Sequence, residues 1–123
     1  MELDLPGGPT APKLARSAVE ERLADRVPPR VLEDVRLVVS ELVTNSVLQA
    51  RAGPEDHVRL RIRVLDSAVR LEVTDPGPGP GARRPERTKD HTGGWGLMLV
   101  DKIAGRWGVD PGRPPTVWAE IAA

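Results

Sequence analysis

Cysteine, phenylalanine and tyrosine are absent from the 123 residues, and three tryptophans supply all of the aromatic surface. Without cysteine, neither a disulfide framework nor a thiolate metal site can form. Excess charge of either sign is lacking too, because eighteen basic side chains balance eighteen acidic ones. Proteins that grip a nucleic acid backbone usually carry a clear basic excess, so no direct nucleic acid partner is expected. Long apolar runs are missing: no stretch reaches the roughly 18 to 20 residues that cross a bilayer. The opening "MELDLPGGPTAP" has no positive segment followed by an apolar one, as a secretory signal would. These absences predict a soluble, cytoplasmic protein with no membrane partner. The length suits a single domain over residues 1–123 with a real but small core.

What is present divides into short elements. "MELDL" reads as a first strand closed off by "PGGP". "APKLARSAVEERLAD" spaces Leu14, Val19 and Leu23 as a helix does, with Pro12 in its first turn. Pro28 and Pro29 end that helix, and a second is expected from about Arg30 to Arg51, stopped by Gly53 and Pro54. "HVRLRIRVL" alternates Val58, Leu60, Ile62 and Val64 with Arg59, Arg61 and Arg63, the pattern of a strand with one wet face. After "DS", Val69, Leu71 and Val73 repeat the alternation, which makes a hairpin. A loop rich in proline, glycine and arginine runs from Gly77 to about Gly93. A third helix opens near Gly94 with Leu97, Val100, Ile103 and Ala104, and "RWGVD" and "TVWAEIA" are closing strands. Three helices and about five strands, mostly in hairpins, predict an α+β two-layer sandwich rather than a doubly wound parallel sheet.

The second helix has an unusual wheel. At about 100° per residue, Glu33, Arg36, Ser40, Thr44 and Arg51 fall on a solvent face, and Val31, Val35, Val38, Val39, Leu42 and Ser46 on the core face. Asp34, Glu41 and Asn45 form a second, narrow polar stripe, bordered by Val38 on one side and Leu37 and Leu48 on the other. Two readings stand: a ragged, partly exposed edge, or a cleft-facing pair at 41 and 45. Residues four apart lie one above the other on a helix, and buried polar groups need something polar to meet them.

The second strand of the hairpin adds an independent clue. Extending its period of two puts Asp75 on the same face as Val69, Leu71 and Val73, so a carboxylate points toward the core. It is either a turn aspartate or a group meeting a donor. "DPGPGPG" follows, where glycine allows close backbone approach and proline stiffens the turn. "HTGGWGLMLV" then leads glycines 93, 94 and 96 into a helix, either a flexible loop or a helix start whose N–H groups hold an anion.

The two commonest phosphate motifs are absent: there is no G-x-x-x-x-G-K-[ST], and glycines 77, 79 and 81 do not fit G-x-G-x-x-G before a helix. His57 and His91 lack metal-ligand company, and no Ser/His/Asp set is visible. Arg83, Arg84, Arg87 and Lys89 read as a solvated charge run, or as a source of a phosphate-facing cation.

Taken in order, Glu-x-x-x-Asn on a helix, Asp-x-Gly-x-Gly after a strand and Gly-x-Gly-Leu opening a helix resemble the GHKL (histidine kinase-like) ATPase superfamily. "ELVTNS", "VTDPGPG", "GGWGLMLVDKIAGRWGV" and "TVWAEI" are most similar to its anti-sigma-factor serine/threonine kinase branch. The resemblance implies a Bergerat-type ATP-binding fold: a mixed, mostly antiparallel sheet with about three helices on one face. It implies ATP and Mg²⁺ as cofactors. Asn45 would hold the Mg²⁺ and Glu41 would be catalytic, orienting or deprotonating the attacking hydroxyl. Asp75 would accept from the adenine amino group, with Thr116 in support, and Gly77 and Gly79 would pass beneath the ring. Gly94, Gly96 and Leu97 would hold phosphate oxygens, with residues 80–93 as a lid. Trp95 between the phosphate-site glycines, and Gln49 where relatives often carry histidine, depart from the pattern. The implied partners are a STAS-type anti-anti-sigma protein, phosphorylated on serine or threonine, and a sigma factor to be sequestered. A homodimer is among the expectations. A non-catalytic, nucleotide-responsive interaction module is the alternative, and a nucleotide-free regulatory domain is a further rival.

Overall fold

The computed structural model describes residues 1–50, 55–75, 95–112 and 114–123, with the side chains of 49, 50 and 95–97 outside that description. Strand β1 (Glu2–Pro6) is followed by helices α1 (Ala11–Leu23) and α2 (Pro29–Ala50), then by the hairpin β2 (His57–Val64) and β3 (Ala68–Thr74). Helix α3 (Trp95–Ile103) precedes β4 (Arg106–Asp110) and β5 (Thr116–Ala122). The strands form one sheet in the order β1-β2-β3-β5-β4. Its four pairings among the described residues are all antiparallel.

Alternation decides which way each strand faces. Val58, Leu60 and Ile62 on β2, Val69, Leu71 and Val73 on β3, and Val117, Ala119 and Ile121 on β5 are buried. They meet Val31, Val35, Val38, Val39, Leu42 and Val43 of α2 in a single core. Removing each such side chain from water contributes about 1.5–3 kcal/mol, so this interface is what fixes the helices on the sheet. Helix α2 packs against both α1 and α3 and is the central helix of the layer. The α+β, two-layer expectation therefore holds, with three helices over an open five-stranded sheet among the described residues.

Two apolar positions differ from the pattern reading. Leu14 is exposed, and α1 instead buries Ala11, Ala15, Val19 and Leu23, a strict four-residue spacing that keeps the helix close to its neighbours. Val64 is also exposed. It pairs with Val69 on the last rung before the turn, at the tip of the hairpin.

The opposite sheet face carries a charge lattice. Arg61 bonds Glu2 at 2.8 Å and reaches Glu72 at 3.6 Å. Arg70 bonds Glu72 at 2.7 Å and Glu120 at 2.8 Å, and its guanidinium lies 4.4 Å from the centre of the Trp118 ring. Gly108 on β4 leaves room for that indole, since a Cβ there would stand 3.0 Å from the Trp118 ring. The wet face is thus tied across strands by alternating charge.

Candidate functional site

Where α2 meets the end of β3, three polar groups are buried among apolar neighbours: Asn45, Ser46 and Asp75. Glu41, one turn before Asn45, is half-buried. The placement follows from two periods acting together. The helical repeat stacks Glu41 under Asn45, and the strand repeat carries the inward face of Val69, Leu71 and Val73 on to Asp75, which is 2% exposed.

Ser46 joins the two elements. Its hydroxyl donates to Asp75 Oδ1 at 2.5 Å, across 29 positions of sequence. The Asp75 backbone N–H donates to the Pro115 carbonyl at 3.1 Å, so the carboxylate is anchored from the helix and its backbone from the chain leading into β5. A carboxylate has about four acceptor sites, which suffices for Ser46 and for a ligand N–H together. Ser46 was expected only as part of the core face. The signal was there: a hydroxyl in the middle of an apolar arc must find a partner.

Asn45 is 3% exposed, and its Nδ2 has no hydrogen-bond partner among the described residues. An unmatched buried amide costs about 1–3 kcal/mol, which marks Asn45 as a candidate ligand contact. Half a turn of the carboxamide exchanges Nδ2 and Oδ1 and offers an oxygen to the same space. Among the described residues there is no cluster of three or more His, Asp or Glu that could hold a metal ion by itself. The donor set therefore fits an ion such as Mg²⁺, which takes one or two protein oxygens and fills its shell with phosphate oxygens and water.

Gly96 and Leu97 fall in the first turn of α3, where backbone N–H groups have no acceptor within the helix. Gly77, Gly79, Gly94 and the 80–93 lid lie outside the described residues. Thr116 does not join the site. With Val117, Ala119 and Ile121 facing inward, Thr116 stands with Trp118 and Glu120 on the outer sheet face. Its hydroxyl is 2.9 Å from that of Thr74, on the opposite side from Asp75. The adenine-supporting role expected for Thr116 is therefore withdrawn: strand alternation turns it away.

The described residues thus form an open antiparallel sheet under three helices, with a buried carboxamide and a buried carboxylate at one helix–sheet corner. The chain belongs to the histidine kinase-like ATPase domain family, whose model matches residues 5–114. Over 49 residues it is 39% identical to an anti-sigma F factor of Clostridium botulinum strain Eklund 17B (Type B). It is 37% identical over 49 residues to the anti-sigma F factor of strain Alaska E43 (Type E3). Each match covers 39% of this chain and 34% of the relative, so it extends over about a third of their length. These relatives agree with the anti-sigma branch that the motif order indicated. Among solved structures, the Acinetobacter baumannii histidine kinase AdeS superposes with a TM-score of 0.52 at 16% identity. That superposition covers 99% of this chain and 67% of the kinase, and it bears on the fold alone. No helix among the described residues is long and apolar enough to cross a membrane.

Proposed function

We propose that this chain is a single-domain cytoplasmic regulator that binds Mg·ATP at the α2–β3 corner. It transfers the γ-phosphoryl group to a serine or threonine of a STAS-type anti-anti-sigma protein, and it binds and sequesters a sigma factor in controlling transcription. The observation that carries this reading is the pairing at positions 45 and 46. A buried carboxamide with an unmatched end stands next to the serine that ties the helix to a buried carboxylate.

Each residue then has a task. Asp75, held by Ser46, accepts a hydrogen bond from the purine amino group and so selects adenine. Gly77 and Gly79 let the backbone pass beneath the ring. Backbone N–H groups of Gly94, Gly96 and Leu97 hold phosphate oxygens at a helix start, where the dipole favours negative charge. Asn45 presents its oxygen to the cation. When bound, Mg²⁺ neutralises charge on the phosphates. Glu41 orients the acceptor hydroxyl and takes its proton as the oxygen attacks the γ-phosphorus; the bond to the ADP oxygen breaks, and ADP and a phosphoester result. Little else is demanded of the protein, since phosphoryl transfer depends mainly on positioning and charge.

The first test is thermal melting with and without Mg·ATP. A ligand at one hundred times its Kd that binds only the folded state adds about 2.7 kcal/mol, and a clear rise in Tm is expected. No rise at millimolar ATP would sink the reading. Labelled ATP with candidate antagonist proteins then tests the transfer itself.

A further inference from the structure

Half-buried carboxylates among the described residues are paired, with two exceptions. Among the described residues, Asp34, Glu41, Asp56, Glu72 and Glu120 are half-buried. Glu72 and Glu120 are held by Arg70, and Asp56 has a partner of its own. Asp34 and Glu41 have no hydrogen bond or ion pair among the described residues. Both lie on α2, and the side chains nearest them on the helix surface are also out of keeping with a solvent face. Leu37 is 40% exposed and Leu48 is 56% exposed.

These four residues form a line. At about 100° per residue, Asp34, Leu37, Glu41 and Leu48 fall within a sector of about 60°, so they follow one another along the helix. At about 1.5 Å per residue, Asp34 lies about 10 Å before Glu41, and Leu48 about 10 Å beyond it. Leu37 lies between the two carboxylates. The buried, unmatched amide of Asn45 sits on the edge of this line, which ties it to the site already described. A solvent-facing stripe would not alternate unpaired carboxylates with large leucines.

We infer that this stripe of α2 is the docking track for the phosphoacceptor, and that the track recognises an extended segment with a cation on one side of the hydroxyl and an apolar residue on the other. The inference rests on the proposed kinase reading, with Glu41 at the acceptor hydroxyl. Charge complementarity selects the occupant: Asp34 has no cation partner among the described residues, and a docked lysine or arginine supplies one. An extended chain rises about 3.3 Å per residue, so a residue about 10 Å from the hydroxyl is the third from it. The cation thus sits three residues from the acceptor serine and meets Asp34. An apolar side chain three residues away in the other direction meets Leu48, while Leu37 covers the segment between. Burying the leucines also removes water from the Glu41 carboxylate during transfer.

The probe is a set of short peptides with a central serine, leucine at the third position on one side and lysine at the third on the other, in both orders. Companion peptides replace the lysine by glutamate or the leucine by glutamine. Full-length protein, Mg·ATP and labelled phosphate are used, with the ATP-induced Tm shift recorded in parallel. The lysine–leucine peptide in one order is expected to have a KM about tenfold below its glutamate companion, with similar kcat; tenfold corresponds to about 1.4 kcal/mol. Asp34→Lys should invert that preference and leave the ATP-induced shift unchanged. Leu48→Gln should erase the advantage of leucine over glutamine. An ATP-induced shift with no peptide phosphorylated, or with no lysine preference, or with a preference that Asp34→Lys does not invert, overturns the track. Absence of the shift instead removes the kinase reading beneath it.

Discussion

Ser46 and Asp75 lie 29 positions apart in the chain and 2.5 Å apart in space, with the hydroxyl of the helix residue donating to the carboxylate at the end of β3. This bond ties a buried carboxyl group to the central helix. It is also the one side-chain hydrogen bond by which α2 grips the site end of the sheet among the described residues. Ser46→Ala removes the donor and leaves the carboxylate without it. The expected loss is about 1–3 kcal/mol of folding stability, read by urea unfolding. Ser46→Thr, if its methyl is accommodated, should recover most of it. An unchanged midpoint for the alanine variant would show that the bond is not what holds the corner.

Asn45→Ala should separate folding from ligand binding. The amide carries an unmatched nitrogen in the ligand-free protein, so its removal relieves a buried polar cost while losing some packing. The two effects offset, and ligand-free stability is expected to change by less than about 1 kcal/mol. The added stability from Mg·ATP, however, should disappear. Melting both variants with and without Mg·ATP, and again with chelator, reads both terms. A wild-type ATP response in the alanine variant would remove Asn45 from the metal site.

Glu41→Gln keeps the size and polarity of the side chain and removes its capacity to take a proton. Nucleotide binding should persist, because the half-buried position lies one turn from Asn45. Phosphotransfer to a partner should fall by about 10²- to 10⁴-fold, the usual scale for a general base. The same variant distinguishes kinase from switch. In a module that only senses nucleotide, partner affinity would still respond to ATP and the substitution would change little.

On the other face, Arg70 is the keystone of the charge lattice. Arg70→Ala removes both carboxylate partners and the stacking over Trp118. Glu72 and Glu120 would then be diagonal like charges on paired strands, since Glu72 faces Trp118 in the register. A loss of about 1–3 kcal/mol is expected at low salt, and a smaller one at 1 M salt. The hydrogen bond that Arg70 donates to Glu72, joined by the one it donates to Glu120 and opposed by burial, raises the Arg70 pKa above that of a free arginine. A raised basic pKa contributes stability that is complete below the ordinary arginine value and fades only as pH climbs through the raised one. The arginine therefore stays charged at neutral pH and this contribution is present there, so substitution is the informative test.

Much of this architecture was legible before any coordinates. Period two in "HVRLRIRV" and "AVRLEVT" specified the hairpin and put Asp75 inward, because the inward positions are apolar and the outward ones, Ala68 apart, are polar. The helical wheel isolated Glu41 and Asn45 from both ordinary faces. Thr116 was not legible in the same way. "TVWAEI" places tryptophan outward and alanine inward, so hydropathy gives no clean alternation, and the register against β3 decides the face. Strand order was equally hidden, since pairing between β3 and β5 depends on contacts far apart in sequence. Ser46 shows a third kind of blind spot: a small hydroxyl in an apolar arc reads as tolerated core until its acceptor comes from another element.

One consequence of the sheet order concerns how the protein is made. In the described structure β4 pairs only with β5, and β5 is wedged between β4 and β3. For a nascent chain leaving the ribosome, β4 has no strand to pair with among the described residues until β5 has been translated. The Pro115 carbonyl that receives the Asp75 N–H arrives at that same late moment. The corner that holds Asp75 is thus among the final parts of the fold to be completed.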